Sequence, residues 1–396
     1  MKGMEDGAAM RSGLAGAVRL DRRELAGAVA DLGVFVPIAT ALIVSNGLSA
    51  TAVLLPAGLL YLTVAFVYRL PIPVQPLKAF GAIAIAEGLG SDEIAAGALL
   101  MGAVFLVLGR TGLIDRAALA FPKPLIRGVQ LTVGLLFLKI AWGLVDDPPS
   151  SFTDQGADPT ILIVLGAAAL AVAFLFRRFA ISLALVLLAL VIAAVRAGGE
   201  LAWGPSPLHL PDLDSATFWT ALTLLVLPQI PLTFANSCIA TTDAARTYFG
   251  ERAKDIRPGR LATTLGLANL FSGAISGMPV CHGAGGMTAH QAFGARSAGA
   301  PLVMGGALLV LALALGAGLA ALLAAFPLPV LAGMLAAAGI LHIGLLRDLS
   351  GARAWAVALI IGVIGFESNL AIALPIGLAL WWLPIGAIRL YRLASA

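Results

Sequence analysis

Charge is what this 396-residue chain has least of: Asp, Glu, Lys and Arg together make up only 12% of it. A soluble domain carries roughly a quarter. Hydrophobic residues make up 60%. No soluble fold of this length has interior enough to hide so much apolar side chain, so the solvent for most of the chain must be lipid. Cysteine is equally scarce. Cys238 and Cys281 both sit in apolar stretches, which excludes a disulfide framework and offers no metal-ligand pattern. No cofactor or metal is therefore expected. The net charge of +4 is too small to argue for a nucleic-acid partner. No secretory signal is expected either. Residues 1–23 are polar, hold Lys2, Arg11, Arg19, Arg22 and Arg23, and lead into no cleavable apolar core.

What is present is a series of long apolar runs. A membrane helix needs about 20 mainly apolar residues. The runs predict an all-α polytopic membrane protein with segments near 24–45, 50–69, 76–90, 93–110, 124–143, 159–176, 179–196, 216–240, 260–276, 282–295, 299–323, 328–346, 353–366 and 369–390. Basic residues collect in alternate loops: Arg69; Arg110, Arg116 and Lys123; Arg177 and Arg178; the run Arg246 to Arg260; Arg296; Arg347 and Arg353. The 146–158 loop holds four aspartates and no basic residue. Because positive loops stay on the cytoplasmic side, residues 1–23 form a cytoplasmic tail and both termini are expected inside. Fourteen segments divide into a repeat at 24–196, a polar linker at 197–215 and a repeat at 216–396. Seven segments per half force the second repeat to run inverted relative to the first.

The third segment of each half is broken. One reads Pro71-Ile-Pro-Val-Gln-Pro-Leu-Lys78 and the other Ser276-Gly-Met-Pro-Val-Cys-His-Gly283, each with a Pro-Val pair, at 73–74 and 279–280. Paired interruptions at corresponding places are the strongest sequence pointer to a transporter site. Proline fixes φ and lacks an amide hydrogen, so 71–75 and 278–281 are expected extended, with half-helices opening at Pro76 and near His282. A helix that begins inside the membrane presents unpaired N–H groups and the positive end of its dipole. Two such ends make an anion site. Two kinks repaired by neighbouring helices would produce the same pattern.

Lys78 lies at the first of these breaks. An unpaired Lys costs about 2.5–3.5 kcal/mol to insert at the membrane centre, so it needs a partner. The internal candidates are Asp31 and Glu87; the functional candidate is an anionic substrate. Gln229 and Asn236 are seven residues apart in the eighth segment and near one helix face, where either can donate to an oxyanion or bond a neighbouring helix. Gln75 is a further donor or a cap for the half-helix. Asp31 suits a charge partner or proton carrier. His282 falls within the second break, whereas His290 and His342 read as structural. Arg127 and Gln130 open the fifth segment, with Arg127 expected as an interfacial anchor that snorkels to the surface.

The strings ADLGVFVPIA (30–39), PIPVQPLKA (71–79), IRGVQLTVG (126–134), LPQIPLTFANSCIA (227–240) and GMPVCHGAGGMTAHQAFGAR (277–296) resemble the molybdate transporter family, a branch of the SulP sulfate permease superfamily. The resemblance covers essentially the whole membrane region. It implies an inverted repeat of the uracil permease type, with segments 1–4 and 8–11 as a core domain and 5–7 and 12–14 as a gate. It places Gln75, Lys78, Cys281, His282 and Gly283 near the substrate, with Asp31 and Gln229 beside them. It also implies a homodimer, elevator-like motion of the core and molybdate as substrate; the short loops and the lack of a targeting segment fit a bacterial inner membrane. No STAS domain is expected after the last segment, as suits this branch.

Rival readings are sulfate, tungstate or a nucleobase on the same fold, an intramembrane enzyme using Ser276 and His282, and a channel. Nucleobase relatives carry carboxylates where this chain has Gln229 and His282. No protease motif surrounds Ser276, and no ring of like charge or carbonyl filter marks a pore. Moving a dianion inward costs about 4.6 kcal/mol per 100 mV, so uptake needs a steep gradient or a coupling ion, such as a proton carried by Asp31 or His282.

Overall fold

The computed structural model describes residues 18–44, 46–119, 121–148, 188, 191–195, 202–368 and 370–394. Within these the fold is helical, apart from two very short strands. In the first half, α1 (Arg22–Ala28) passes through a 3-10 turn, Val29–Asp31, into α2 (Leu32–Val44). Then come α3 (Ala50–Val67), β1 (Gln75–Pro76), α4 (Lys78–Ala86), α5 (Ser91–Thr111), α6 (Leu113–Ala118) and α7 (Lys123–Asp146). The second half opens with one continuous helical run, Ser215–Ala253. It comprises α8 (Ser215–Thr220), a π stretch (Ala221–Val226), α9 (Leu227–Leu232), a second π stretch (Thr233–Ala240), α10 (Thr241–Phe249) and a 3-10 end. It continues with α11 (Pro258–Ala274), β2 (Val280–Cys281), α12 (Ala284–Phe293), α13 (Gly299–Ala314), α14 (Leu319–Ala324), α15 (Leu328–Ile343), α16 (Ala352–Glu367) and α17 (Leu370–Ala394).

Helices α3, α5, α7 and the 215–253 run are each long and apolar enough to cross a membrane. Every predicted segment coincides with a helix except 159–176 and 179–196, which lie outside the described residues but for 188 and 191–195. Two of these segments differ in extent. The eighth segment runs on to Ala253, past the predicted end at 240. The eleventh stops at Ala314 and resumes at Leu319, because Gly316 and Gly318 interrupt the helix. The π stretches flank Pro228 and Pro231. Pro231 has no N–H for the carbonyl of Leu227, and a slipped ladder accommodates the missing bond.

The two halves interleave. Helix α5 packs most extensively on α11, and α3 on α13, so first-half helices find second-half partners. Small residues permit the close approach that membrane helices rely on. A Cβ on Gly266 would lie 2.5 Å from the backbone nitrogen of Leu106. Two main hydrophobic clusters result. The larger joins α3, α4, α5, β2, α11 and α13, with residues such as Tyr61, Phe80, Phe105 and Leu265. The second joins α7, α15, α16 and α17 around Phe137, Leu125 and Ile361. Helix α2 and the second π stretch contribute to both, which places them at the seam.

Candidate functional site

The two breaks meet. β1 pairs antiparallel with β2, with Gln75 opposite Cys281 and Pro76 opposite Val280. The pairing continues into Leu77, whose N–H donates to Pro279 O at 3.1 Å. Half-helices α4 and α12 spring from this crossing. Gln75 and Cys281, the caps Leu77 and Gly283, and the first helical residues Lys78 and Ala284 are related by one constant offset along the chain. The local twofold axis therefore passes between Gln75 and Cys281.

Both half-helices start two residues later than the sequence suggests. Pro76 belongs to β1 and His282 precedes the cap Gly283. Strand pairing explains the delay: residues 75–76 and 280–281 satisfy their backbone across the crossing before either chain can coil.

Three helix starts in the described chain are capped by their own N-cap side chains. Asp21, Ser49 and Asp214 accept backbone N–H bonds at the openings of α1, α3 and α8. Leu77 and Gly283 supply no such cap. At α4, among the described residues, only the third N–H is taken by another segment: Phe80 N donates to Gln229 Oε1 at 2.9 Å. Among the described residues no side chain accepts from the N–H groups of Ala284, Gly285 or Gly286. The crossing thus presents helix-dipole ends with unused donors, the composition of an anion cradle.

Lys78 adds a full charge. It is buried, with 6% of its surface exposed. Its Nζ donates to Gln75 Oε1 at 2.6 Å and lies 5.5 Å from the ring centroid of Phe137, on α7 across the seam. Among the described residues the ion pairs are Lys123–Asp348, Arg127–Asp243 and Arg127–Asp348, and none includes Lys78. Glu87, one expected partner, is exposed at the far end of α4 and does not serve. The backbone of Asp31 closes the 3-10 turn, and its side chain lies outside what is described.

The other predicted residues take distinct places. Gln75 lies over Gly283, where a Cβ would fall 2.1 Å from Gln75 Oε1; glycine alone fits. Cys281 Sγ donates to Pro76 O at 3.3 Å. Gln229 is engaged at both ends, with Nε2 donating to Thr233 Oγ1 at 2.9 Å. His282 is fully buried and turns its ring away from the cap: Nδ1 donates to Pro73 O at 2.9 Å and Nε2 lies 3.3 Å from Thr264 Oγ1. His290 Nδ1 donates to Pro71 O at 3.2 Å, so the two histidines staple the proline stretch to the second half. Asn236 is buried in the second π stretch, with Oδ1 unpartnered among the described residues. The π geometry breaks the assumption that seven residues return to the same face.

Sequence reasoning missed three supports. Asn269 brackets β2, donating from Nδ2 to Val280 O at 2.9 Å and accepting Val280 N at Oδ1 at 2.7 Å. Ser272 Oγ donates to Met278 O at 2.6 Å. Phe137 meets Lys78. An Asn inside an apolar helix was a usable signal; a Phe was not. Arg127 is a correction. It does not snorkel but is 1% exposed, held by Asp243, Asp348 and Gln130. Two carboxylates neutralise it, so it has no need to reach water.

A helical membrane protein with two inverted half-helices crossing at a buried cation defines a transporter class. Its fold is similar to the transmembrane domain of a cyanobacterium bicarbonate transporter, BicA: TM-score 0.59, 17% identity, covering 90% of this chain and 98% of that one. It is also similar to SLC26A9, with TM-score 0.61 and 16% identity over 92% of this chain and 65% of that one. The sequence matches the family described as "Molybdate transporter of MFS superfamily" over residues 23–137 and 221–341, and the chain belongs to that family. Molybdate transporter 1 of Arabidopsis thaliana is 29% identical, over 89% of this chain and 86% of its own length. Molybdate transporter 1 of Chlamydomonas reinhardtii is 28% identical, over 86% of each. The protein is a membrane transporter and not an enzyme.

Proposed function

We propose that the protein is a secondary transporter that takes up a tetrahedral oxyanion, molybdate first among them, by alternating access. The observation that carries this reading is the crossing itself: uncapped half-helix ends around a buried Lys78 that has no carboxylate partner among the described residues. Lys78 Nζ and the free N–H groups of both half-helices hold the dianion by charge-assisted bonds, and Gln75 orients the ammonium. Gln229, His282 and Asn269 act as supports that fix the half-helices and β2, their polar atoms being spent on protein.

The cluster containing the crossing is the moving core, and the α7, α15, α16 and α17 cluster is the gate. Both termini face the cytoplasm. With both nitrogens of His282 engaged, proton carriage falls to Asp31. The names of the relatives favour molybdate over sulfate, which has the same charge and shape.

Proteoliposome uptake of molybdate, with tungstate and sulfate as competitors, tests the reading. Saturable molybdate uptake that tungstate blocks better than sulfate is expected. Equal competition by sulfate makes this a general oxyanion permease, and absence of any oxyanion flux overturns the proposal. Uptake unchanged across a collapsed proton gradient removes the proton from the mechanism.

A further inference from the structure

The charged groups of the transport crossing do not include the most buried cation of the described chain. Arg127 is among the largest side chains with under 2% exposure. It sits in the second turn of α7, within the second cluster, and α7 packs along the second π stretch of the 215–253 run. On its own side Arg127 Nε donates to Asp348 Oδ1 at 2.8 Å, and Nη1 donates to Gln130 Oε1 at 2.8 Å. Lys123 pairs with Asp348 at 2.8 Å and strengthens that side. Across the seam, Nη1 pairs with a single carboxylate, Asp243, at the start of α10. A cation fixed on one body and held by one carboxylate of the other can part by breaking a single contact.

A second observation lies beside it. Six buried side-chain atoms lack a hydrogen-bond partner among the described residues, and three of them gather here: Gln130 Nε2, Asn236 Oδ1 and His290 Nε2. They sit on α7, the second π stretch and α12, three elements that pack against one another. Buried polar atoms left unpaired cost about 1–3 kcal/mol each, and such exceptions call for a reason. A seam that opens to water and anions in another state supplies one, because these atoms are then solvated. Gln130 belongs to both sets: its oxygen holds Arg127 and its nitrogen is one of the orphans.

We propose that the Arg127–Asp243 pair is the latch that closes the crossing from the basic face of the protein, and that the path opens between α7 and the 215–253 run when the pair parts. The basic face is the one where Arg246, Arg252, Lys254 and Arg257 follow Asp243. The inference rests on the transport reading, but its test uses no substrate. The chain's two cysteines are both buried, and Cys281, at the crossing, is 2% exposed. In a Cys238→Ala background, a thiol reagent reports directly on access to Cys281.

Purified protein carrying Asp243→Asn keeps shape and hydrogen-bonding capacity but loses the charge. Labelling of Cys281 is expected to quicken about tenfold, the worth of one charge-assisted contact. Asp243→Glu restores the charge and returns the rate toward that of the parent. Asp348→Asn leaves the seam pair in place and changes labelling little. Equal rates in Asp243→Asn and the parent overturn the latch. Equal acceleration by Asp348→Asn and Asp243→Asn also overturns it, since the cluster then only holds the fold together. A protein that transports no oxyanion but labels as expected refutes the substrate reading and leaves the latch standing.

Discussion

Replacing Lys78 with Met removes one charge and keeps the length of the side chain. In the structure Nζ is buried, bonded to Gln75 and faced by Phe137. A single negative charge about 4 Å away gains about 4 kcal/mol at an effective dielectric of about 20. Desolvation returns much of that, and hydrogen bonds to charged groups net about 1.5–3 kcal/mol. Molybdate affinity should therefore fall about 10- to 150-fold. Stability should behave differently. Inserting the ammonium costs about 2.5–3.5 kcal/mol, and its bond to Gln75 recovers a similar amount, so the two nearly cancel. The expected result is a Tm close to that of the parent with binding largely lost. Titration calorimetry on purified protein, alongside thermal unfolding, separates the two. Binding within about threefold of the parent would refute the assignment of Lys78 as the anion's ligand.

Gly283→Ala places a Cβ 2.1 Å from Gln75 Oε1 and must push aside the group that holds Lys78. Molybdate uptake should fall at least about tenfold, with a stability loss of about 1–3 kcal/mol from overpacking; parent-like uptake would show that Gln75 has room to move. Gln229→Leu strips the acceptor from Phe80 N–H and the donor to Thr233, and should cost about 1–3 kcal/mol by chemical denaturation, whereas Gln229→Glu keeps the acceptor and costs less. The Arg127 hydrogen bond, with lesser help from Lys123, holds the Asp348 carboxyl below its ordinary value of 3.8. Its contribution to stability is thus complete above that value and is lost as the pH falls below it. A stability profile for Asp348→Asn should run parallel to the parent at neutral pH and converge with it in acid; divergence toward acid would contradict the assigned pair.

Much of this was legible without coordinates. Lipid as solvent, the runs of helix and the two proline breaks follow from composition and spacing, because bilayer thickness fixes helix length and proline fixes φ wherever they occur. Lys78 stood out for the same local reason: a charge in an apolar run is costly whatever surrounds it. The onset of the half-helices was not legible. Pro76 looks like a helix start until its partner strand is known, and only the pairing of Gln75 with Cys281 delays the coil. Nor was the division of labour among polar residues. Gln229, His282 and Asn269 have the chemistry of ligands, and which of them is spent on protein depends on distant backbone: Phe80, Pro73 and Val280.

Arg127 shows the limit most sharply. The sequence places it near the end of a helix, where a snorkelling anchor is the expectation. Asp243 and Asp348 lie more than a hundred residues away, and only the folded chain brings them to its guanidinium. What one residue is and how its neighbours in sequence let the backbone turn are local properties, and the sequence alone determined them. Which donor meets which acceptor across the seam of two interleaved halves is settled by packing, and that only the tertiary structure decided.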